Sequence, residues 1–224
     1  MNIALIVFAG KGTRIHSDVP KQFIKINETE LVVHTIKKFN DNPHIDEIVL
    51  VCHPSYIEYV STLVDTHNLT KVKHIVPGGE TRQESVRLGL LKTEYDVDDN
   101  IFIHDGDRPL VTNSIINEAV SLLEESEAVC PFIFESDELK EVSNSGRKGS
   151  YDHRVIDIQT PQCFRYGLIK NEHVKKQDLT FDDDIGLVEE LTKVNYFAGD
   201  PSNYKVTTDQ DLSYLRSILE KKDE

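Results

Sequence analysis

The sequence predicts an α/β fold built on a doubly wound, mainly parallel sheet. Short apolar runs alternate along the chain with segments of helical period, which is the pattern of successive strand–helix units. A chain of 224 residues is long enough to form one such domain with a sizeable core. The sequence shows no internal repeat and no interdomain linker, so a single domain is predicted over residues 1–224.

The elements follow from the periodicity of apolar residues. Strands are predicted at 3–8, 47–52, 73–76, 101–104, 128–134, 194–198 and 203–207. Helices are predicted at 31–40, 54–66, 80–92, 112–125, 165–176, 183–191 and 208–221. Thr208 or Asp209 is the candidate cap of the last helix. Ligands of such sheets bind beyond the carboxyl ends of the strands, so the loops after residues 8, 76 and 104 should border the site.

Residues 136–158 interrupt this alternation. A turn-forming cluster at 144–150 lies between two runs without helical period, which predicts a projecting β-arm. An arm of this length has little core of its own, so we expect it to pack on a second subunit and form a homodimer. A surface hairpin is the alternative.

Composition excludes several classes of function. The chain has 25 Lys and Arg against 39 Asp and Glu, a net charge of −14, which disfavours a nucleic-acid or anionic membrane partner. No apolar stretch approaches the length of a membrane span, and no basic, cleavable leader is recognisable, so a cytoplasmic location is expected. Cys52, Cys130 and Cys163 are widely spaced and are predicted to be buried thiols.

The loop after the first strand indicates phosphate chemistry. The apolar run 3–8 is followed by Gly10 and Gly12 and then by Arg14 and Lys21. Glycines let the backbone approach a phosphate closely, and the cations supply fixed positive charge. The dinucleotide fingerprint lacks its third glycine and the Walker loop lacks its Gly-Lys-Ser/Thr triplet, so neither motif fits. A glycine-rich turn with surface cations is the alternative.

A second cluster follows the predicted strand at 101–104. Asp105 and Asp107 lie at its carboxyl end, where carboxylate oxygens suit Mg²⁺. A turn cap is the alternative for Asp105, and His104 is expected to be a packed or orienting residue.

A third cluster runs from Gly78 and Gly79 to Ser85. Its backbone groups and the Ser85 hydroxyl could recognise a base or a ribose. The same residues also fit an ordinary helix start, with Thr81 as cap and Glu84 completing a capping box.

The order of these motifs carries a resemblance over nearly the whole chain. The matching segments are 9–14 with Pro20-Lys21-Gln22, Gly78-Gly79 with Arg82 and Ser85, His104-Asp105 with Arg108-Pro109, Thr160-Pro161-Gln162 with Phe164, and Asn203, Lys205 and Thr207 with Asp211-Leu212. In these motifs the chain resembles the bacterial cytidylyltransferases that couple CTP to a polyol phosphate, namely the methylerythritol-phosphate and ribitol-phosphate enzymes. The resemblance implies a Rossmann-like fold of the nucleotidyltransferase type and a reaction in which a phosphate oxygen attacks the α-phosphorus of CTP.

The resemblance also implies roles for individual residues. Arg14, Lys21 and Lys205 would be catalytic, and Asp105 would ligate Mg²⁺. The residues that would bind CTP are Ala9, Gly10, Gly12, Gly79, Arg82 and Ser85. The residues that would bind the acceptor are Asp107, Arg108, Lys140, Arg154, Thr160 and Asp183.

The nucleotide half matches the family pattern better than the acceptor half. Glu138 stands where the family has threonine, and Asp152 stands where an arginine of the arm is expected, with Arg154 two residues later. The family's Thr-Asp pair reads Asp182-Asp183. The acceptor is therefore left open among methylerythritol, ribitol, glycerol and other short polyol phosphates. Two alternatives are a sugar-phosphate nucleotidyltransferase that uses another nucleotide and a non-catalytic nucleotide-binding relative.

Overall fold

A computed structural model describes residues 1–10, 12, 14–134, 140–143, 146–150 and 156–220. The strands are β1 Asn2–Phe8, β2 Lys25–Ile26, β3 Thr29–Glu30, β4 Glu47–Cys52, β5 Val72–Pro77, β6 Asn100–Asp105, β7 Ala128–Phe134, β8 Lys140–Ser143, β9 Gly146–Ser150, β10 Ile156–Ile158, β11 Gln162–Arg165 and β12 Val194–Ala198. The helices are α1 Leu31–Asn40, α2 Ile57–Thr66, α3 Arg82–Lys92, α4 Asn113–Leu122, α5 Tyr166–Lys175 and α6 Asp209–Glu220. Short 3₁₀ helices cover Lys21–Phe23, Pro54–Tyr56 and Ile185–Leu187.

The predicted mainly parallel sheet is confirmed. Strand β1 lies between β4 and β6, and β5 follows β4, all parallel. On the other side of β6 lies β11, which is antiparallel to both β6 and β7 and separates them. The other edge of β7 pairs in parallel with β12. Strand β10 continues along the same edge of β7 as β11. The carboxyl ends of β1, β5 and β6 therefore meet at one edge of the sheet.

Alternation along β1 sends its side chains into two cores. Ala4, Ile6 and Phe8 face the cluster formed with α1, α2 and α4. The intervening residues of β1 face the cluster formed with α3 and α5. Helix α6 packs on a third cluster with the β2–β3 hairpin. Helices on both faces bury the parallel strands, as the doubly wound prediction requires.

Two predicted elements are wrong. Residues 203–207 form an extended loop rather than a strand, because the Val206 amide bonds to Asp107 O instead of to a neighbouring strand. The helix predicted at 183–191 shrinks to the 3₁₀ turn Ile185–Leu187. There the Leu187 and Val188 amides donate to Asp184 O and Ile185 O, three residues back, which is the 3₁₀ pattern, and Gly186 within the segment disfavours a longer helix. The prediction also missed β11 and the β2–β3 hairpin.

The predicted arm divides into two parts. Strands β8 and β9 form an antiparallel hairpin, with Lys140 opposite Ser150 and Ser143 opposite Gly146. Strand β10, which the prediction included in the arm, belongs to the main sheet. All three cysteines are buried and free, as predicted. In the described part of the chain no helix is long and apolar enough to cross a membrane.

Candidate active site

A pocket of about 270 Å³ opens at the carboxyl ends of β1, β5 and β6. Its cationic lining residues are Arg14, Lys21, Arg82 and Lys205, and its acidic ones are Glu80, Asp105 and Asp107. The remaining lining residues are Val7, Phe8, Ala9, Gly10, Gly12, Gln22, Gly79, Thr81 and Ser85. The expectation that the loops after residues 8, 76 and 104 border one site is confirmed.

The glycine loop after β1 is folded back on its own strand. Gln22 is buried and its Nε2 donates to the backbone oxygens of Phe8, at 3.2 Å, and Gly10, at 3.1 Å. Gly12 has a φ of +62°, and a Cβ at this position would lie 2.8 Å from Lys21 Cγ. Glycine is needed at position 12 because the backbone is left-handed and because the lysine stem fills the space that a side chain would take.

Two cations of this loop differ in their contacts. Lys21 Nζ lies 2.5 Å from Asp107 Oδ2 and donates to Val206 O at 2.8 Å. Arg14 is exposed at the rim and makes no hydrogen bond or ion pair with any residue that the structure describes. Lys21 is therefore held in place, whereas Arg14 is available to an incoming anion.

Asp105 lies at the centre of the charged residues. Its Oδ1 accepts from Arg82 Nε at 2.9 Å, its Oδ2 accepts from Lys205 Nζ at 3.0 Å, and Arg108 Nε lies 3.6 Å from Oδ2. Burial raises the pKa of Asp105, but the attraction of Arg82, Lys205 and Arg108 outweighs it and holds this pKa well below its ordinary value. The carboxylate is thus charged over the whole neutral range.

Arg82 also reaches a residue that the sequence analysis did not select. Its Nη1 donates to Asp184 Oδ2 at 2.7 Å, and Asp184 Oδ1 lies 3.0 Å from Nε2 of His173. Asp182 and Asp183 are named in the sequence analysis, but nothing in the sequence distinguishes Asp184, the third aspartate of the same run. His173 lies on α5 without a motif around it, so the sequence carried no signal for it.

The start of α3 forms the opposite wall. Ser85 Oγ accepts from the Gly79 amide at 3.1 Å and donates to Thr81 O at 2.8 Å. Thr81 caps the helix by accepting from the Glu84 amide at 3.0 Å, as predicted. Glu84 accepts from the amide of Glu80 rather than from that of Thr81, so the capping box is displaced by one residue.

Several predicted acceptor residues lie outside the pocket lining. Arg108 is buried behind Asp105 and donates to Asn203 O at 2.8 Å. Thr160 is also buried, where its Oγ1 lies 2.9 Å from Nδ1 of His104 and accepts from the Asp105 amide. These two residues support Asp105 from behind, and Asp183 caps the turn at 185–187.

Of the remaining residues predicted to bind the acceptor, only one lines the pocket. Asp107 lines the pocket beside Lys21. Lys140 is described only as part of the β8 backbone, and Arg154 lies outside the described residues. His104 packs as predicted: it is fully buried, and burial lowers its pKa to about 3.

A divalent cation fits one edge of the pocket. Two carboxylates, Asp105 and Asp107, line it, and the buried Oδ1 of Asp107 has no hydrogen-bond partner among the described residues. No cluster of three or more acidic, histidine or cysteine side chains that could enclose a metal occurs in the described ranges. The donor set therefore suits Mg²⁺, which binds one or two carboxylates and takes its other ligands from water and substrate phosphates.

Comparisons with known proteins agree over nearly the full length. The family described as "IspD: 2-C-methyl-D-erythritol 4-phosphate cytidylyltransferase" matches residues 2–221. The 2-C-methyl-D-erythritol 4-phosphate cytidylyltransferase of Clostridium novyi (strain NT) is 39% identical in a 225-residue alignment that covers 98% of this chain and 96% of the relative. That of Clostridium perfringens (strain SM101 / Type A) is 37% identical, with 94% of this chain and 95% of the relative covered.

Solved structures superpose on nearly the whole chain as well. The 4-diphosphocytidyl-2C-methyl-D-erythritol synthase of Anaerococcus prevotii DSM 20548 superposes with a TM-score of 0.85 at 25% identity, covering 98% of this chain and 96% of that one. The 2-C-methyl-D-erythritol 4-phosphate cytidylyltransferase of Francisella tularensis superposes with a TM-score of 0.80 at 26% identity, covering 96% and 98%.

Proposed function

Because this chain belongs to the 2-C-methyl-D-erythritol 4-phosphate cytidylyltransferase family and is therefore a CTP-dependent nucleotidyltransferase, we propose that it transfers CMP from CTP to 2-C-methyl-D-erythritol 4-phosphate. The products are 4-diphosphocytidyl-2-C-methyl-D-erythritol and pyrophosphate. The observation that supports this proposal best is the convergence of Arg14, Lys21, Arg82 and Lys205 on one pocket that also holds two aspartates.

The transfer needs charge neutralisation more than covalent chemistry. An oxygen of the acceptor phosphate attacks the α-phosphorus and forms the new P–O bond, while the bond from that phosphorus to the bridging oxygen breaks and pyrophosphate leaves. Negative charge is spread over the oxygens of the reacting phosphoryl group. We assign Arg14 and Lys21 to the triphosphate and Lys205 to the α-phosphate, because preorganised cations stabilise such charge without reorganising during the reaction.

Of these three cations, the two lysines are already held by contacts within the protein. Asp107 and the Val206 carbonyl hold the ammonium group of Lys21, and Asp105 holds that of Lys205. The paired carboxylates keep both lysines at the pocket wall and limit the entropy that they lose on binding CTP. Arg14 would complete the site by closing from the rim.

Asp105 and Asp107 would hold a Mg²⁺ ion in this pocket. When bound it neutralises phosphate charge and orients the phosphate chain. In this structure the two aspartates themselves position Lys205 and Lys21. Mg²⁺ and the roles of these residues are parts of the proposal.

The cytidine is assigned to the wall formed by Ala9, Gly10 and Gly79 with Ser85. This wall is close-packed, since a Cβ at Gly78 would clash with Ala9 and would lie 2.9 Å from Ser85 Oγ. Gly10 on the same wall has open space around the position of a Cβ, since no atom lies within 4 Å of it, which leaves room for a planar base and a ribose. Gly12 and Arg82 belong to the same nucleotide half, with Arg82 acting through Asp105.

The acceptor is assigned to the side of Asp107 and the β8–β9 hairpin. Asp107 would contact it directly, Lys140 and Arg154 are candidates from the arm, and Arg108 and Thr160 would act from behind Asp105. Ribitol 5-phosphate remains a second candidate acceptor, because Glu138 and Asp152 replace residues that the family pattern has on this side.

Pyrophosphate release tests the proposal directly. CTP, UTP, ATP and GTP are each supplied with Mg²⁺ and with methylerythritol 4-phosphate, ribitol 5-phosphate or glycerol 3-phosphate, and the products are identified by mass spectrometry. We expect turnover with CTP and methylerythritol 4-phosphate to exceed every other pair. Faster turnover with ribitol 5-phosphate would identify that compound as the acceptor instead. CTP binding without pyrophosphate release would indicate a non-catalytic nucleotide-binding protein.

We also propose that the single domain acts as a homodimer through the arm. The β8–β9 hairpin pairs only with itself among the described strands, which leaves its edges for a second copy. Replacing 140–150 by a short Gly-Ser turn should convert a dimer to a monomer in sedimentation equilibrium. A monomeric full-length chain would contradict this proposal.

A further inference from the structure

We infer that Asp184 and His173 form a positioning pair for the transfer reaction, acting on the reacting phosphate through Arg82, Asp105 and Lys205. The inference rests on the proposed function, and it assigns a role to residues that the sequence motifs did not select. Neither Asp184 nor His173 lines the pocket. Both act from the layer behind it.

The pair is the far end of a continuous chain of polar contacts. His173 Nε2 lies 3.0 Å from Asp184 Oδ1, and Asp184 Oδ2 accepts from Arg82 Nη1 at 2.7 Å. Arg82 Nε then donates to Asp105 Oδ1 at 2.9 Å, and Asp105 Oδ2 accepts from Lys205 Nζ at 3.0 Å. The last member of this chain is the lysine assigned to the α-phosphate.

Two carboxylates on one guanidinium fix its orientation. The planar fork of Arg82 cannot keep Nε on Asp105 and Nη1 on Asp184 after rotating about its side-chain bonds. With Asp184 removed, only the bond to Asp105 would hold Arg82, and the guanidinium could turn toward the phosphates or the solvent. Asp105 would then lose its partner on Oδ1 and keep only Lys205 and Arg108, which both contact Oδ2, so its carboxylate could turn relative to Lys205.

His173 completes the support of Asp184. Its side chain is fully buried on α5, and Nδ1 has no hydrogen-bond partner among the described residues. Because a carboxylate only accepts hydrogen bonds, Nε2 carries the proton. This Nε2–H group supports the Asp184 carboxylate at Oδ1, the oxygen that Arg82 Nη1 does not contact.

The backbone around the pair is anchored independently. The Asp184 amide donates to Gln162 Oε1 at 2.9 Å, and the Phe181 amide donates to Gln83 Oε1 at 3.1 Å. Gln83 is the neighbour of Arg82 on α3 and Gln162 belongs to β11, so the 181–184 segment is joined once to the helix start and once to the sheet. This anchoring favours a defined position for the Asp184 carboxylate, as a supporting contact behind a catalytic group requires.

A double-mutant cycle in kcat tests the inference. Removal of an outer-shell partner typically costs about ten- to a hundredfold, so Asp184→Asn should lower kcat by that factor, with the Kd for CTP changed by less than about threefold. In an Arg82→Gln background the same substitution should cost less than about threefold, since residues that act as one unit are non-additive. Equal losses in both backgrounds would overturn the inference.

A second pair of variants remains informative if Asp184→Asn does not fold. His173→Gln keeps a donor that can reach Asp184, whereas His173→Leu has a similar size and no donor. We expect His173→Gln to keep kcat within about threefold of the native enzyme, and His173→Leu to lose about tenfold at an unchanged Kd for CTP. Equal kcat values for these two variants would also overturn the inference.

The matched control is Asp178→Asn, which removes the same charge from an exposed position in the same connecting segment. It should leave kcat unchanged. The two proposals fail in distinguishable ways. If the native enzyme releases no pyrophosphate from CTP with any acceptor, both the proposed function and this inference are refuted. If the native enzyme is active and the Asp184→Asn variant is equally active, only the inference about Asp184 and His173 is refuted.

Discussion

The replacement of Lys21 by methionine gives the sharpest test of the proposed site. Methionine keeps most of the stem that packs on Gly12 but removes Nζ, which contacts Asp107 and Val206 O. Loss of one preorganised donor to a charged transition state costs about 2.7–4 kcal/mol, or roughly 10²–10³ in kcat. We therefore expect Lys21→Met to lose that factor in pyrophosphate release at saturating CTP and acceptor.

The same substitution has a cost in stability that can be worked from the structure. Asp107 loses its cation while its other oxygen already lacks a partner. A fully buried unpaired charge would cost about 3–5 kcal/mol. The side chain of Asp107 is 12% exposed on the pocket, where water can reach it, so we expect about 1–3 kcal/mol. For a chain of this size each kcal/mol lowers Tm by about 2–4 °C, which leaves the variant folded for assay at 20 °C.

Lys25→Met is the matched control for this experiment. Lys25 is exposed on the β2–β3 hairpin, its Nζ lies 3.7 Å from Glu30, and it does not line the pocket. Lys25→Met removes the same charge as Lys21→Met, but from outside the pocket, so this variant should leave kcat unchanged. A folded Lys21→Met enzyme with kcat within about threefold of native would refute the assignment of Lys21 to the transition state.

Three further changes test other parts of the structure. Thr81→Ala removes the cap of α3 and should lower the free energy of unfolding by about 1 kcal/mol, measured by urea denaturation against the exposed control Thr62→Ala. Gly78→Ala places a Cβ against Ala9, so calorimetry should show a lower Tm and weaker binding of CTP. An unchanged Kd for CTP would contradict the assignment of the base to this wall. Burial lowers the pKa of His34 below its ordinary value near 6.5, so the neutral ring stabilises the fold above that pH. Stability should fall as the pH drops from 7 toward 5, by at most about 1.4 kcal/mol per unit, and less steeply in His34→Gln.

Much of the fold could be predicted because its signals are local. Apolar runs with turn residues between them identify buried strands, and the order of strands and helices limits the sheet to a doubly wound form. The antiparallel β11 was missed because Gln162–Arg165 is short and lies directly before α5. The loop at 203–207 was mistaken for a strand because its alternating side chains imitate strand periodicity, although its backbone pairs with no strand.

The sequence by itself determined which side chains could carry phosphate chemistry. Arg14, Lys21, Asp105 and Lys205 stand in short motifs, and their charged side chains suit a phosphate ligand and a divalent cation. The expectation that the loops after strands share one edge also followed from topology alone, because parallel strands connected by crossovers all point the same way.

Only the tertiary structure decided how these charges are paired. Asp184 is 102 positions from Arg82, and Asp105 is 100 positions from Lys205, so no local pattern reports their contact. Packing α5 and the 181–184 segment against α3 buries Asp184 beside Arg82, and a buried charge must find a partner. Contacts of Thr160 and Asn203 behind β6 likewise make Arg108 and Thr160 supports of Asp105 rather than groups that line the pocket. The sequence therefore determined which charged side chains are present. Their partners were decided by folding, because a charge that loses its water must be paired with another group.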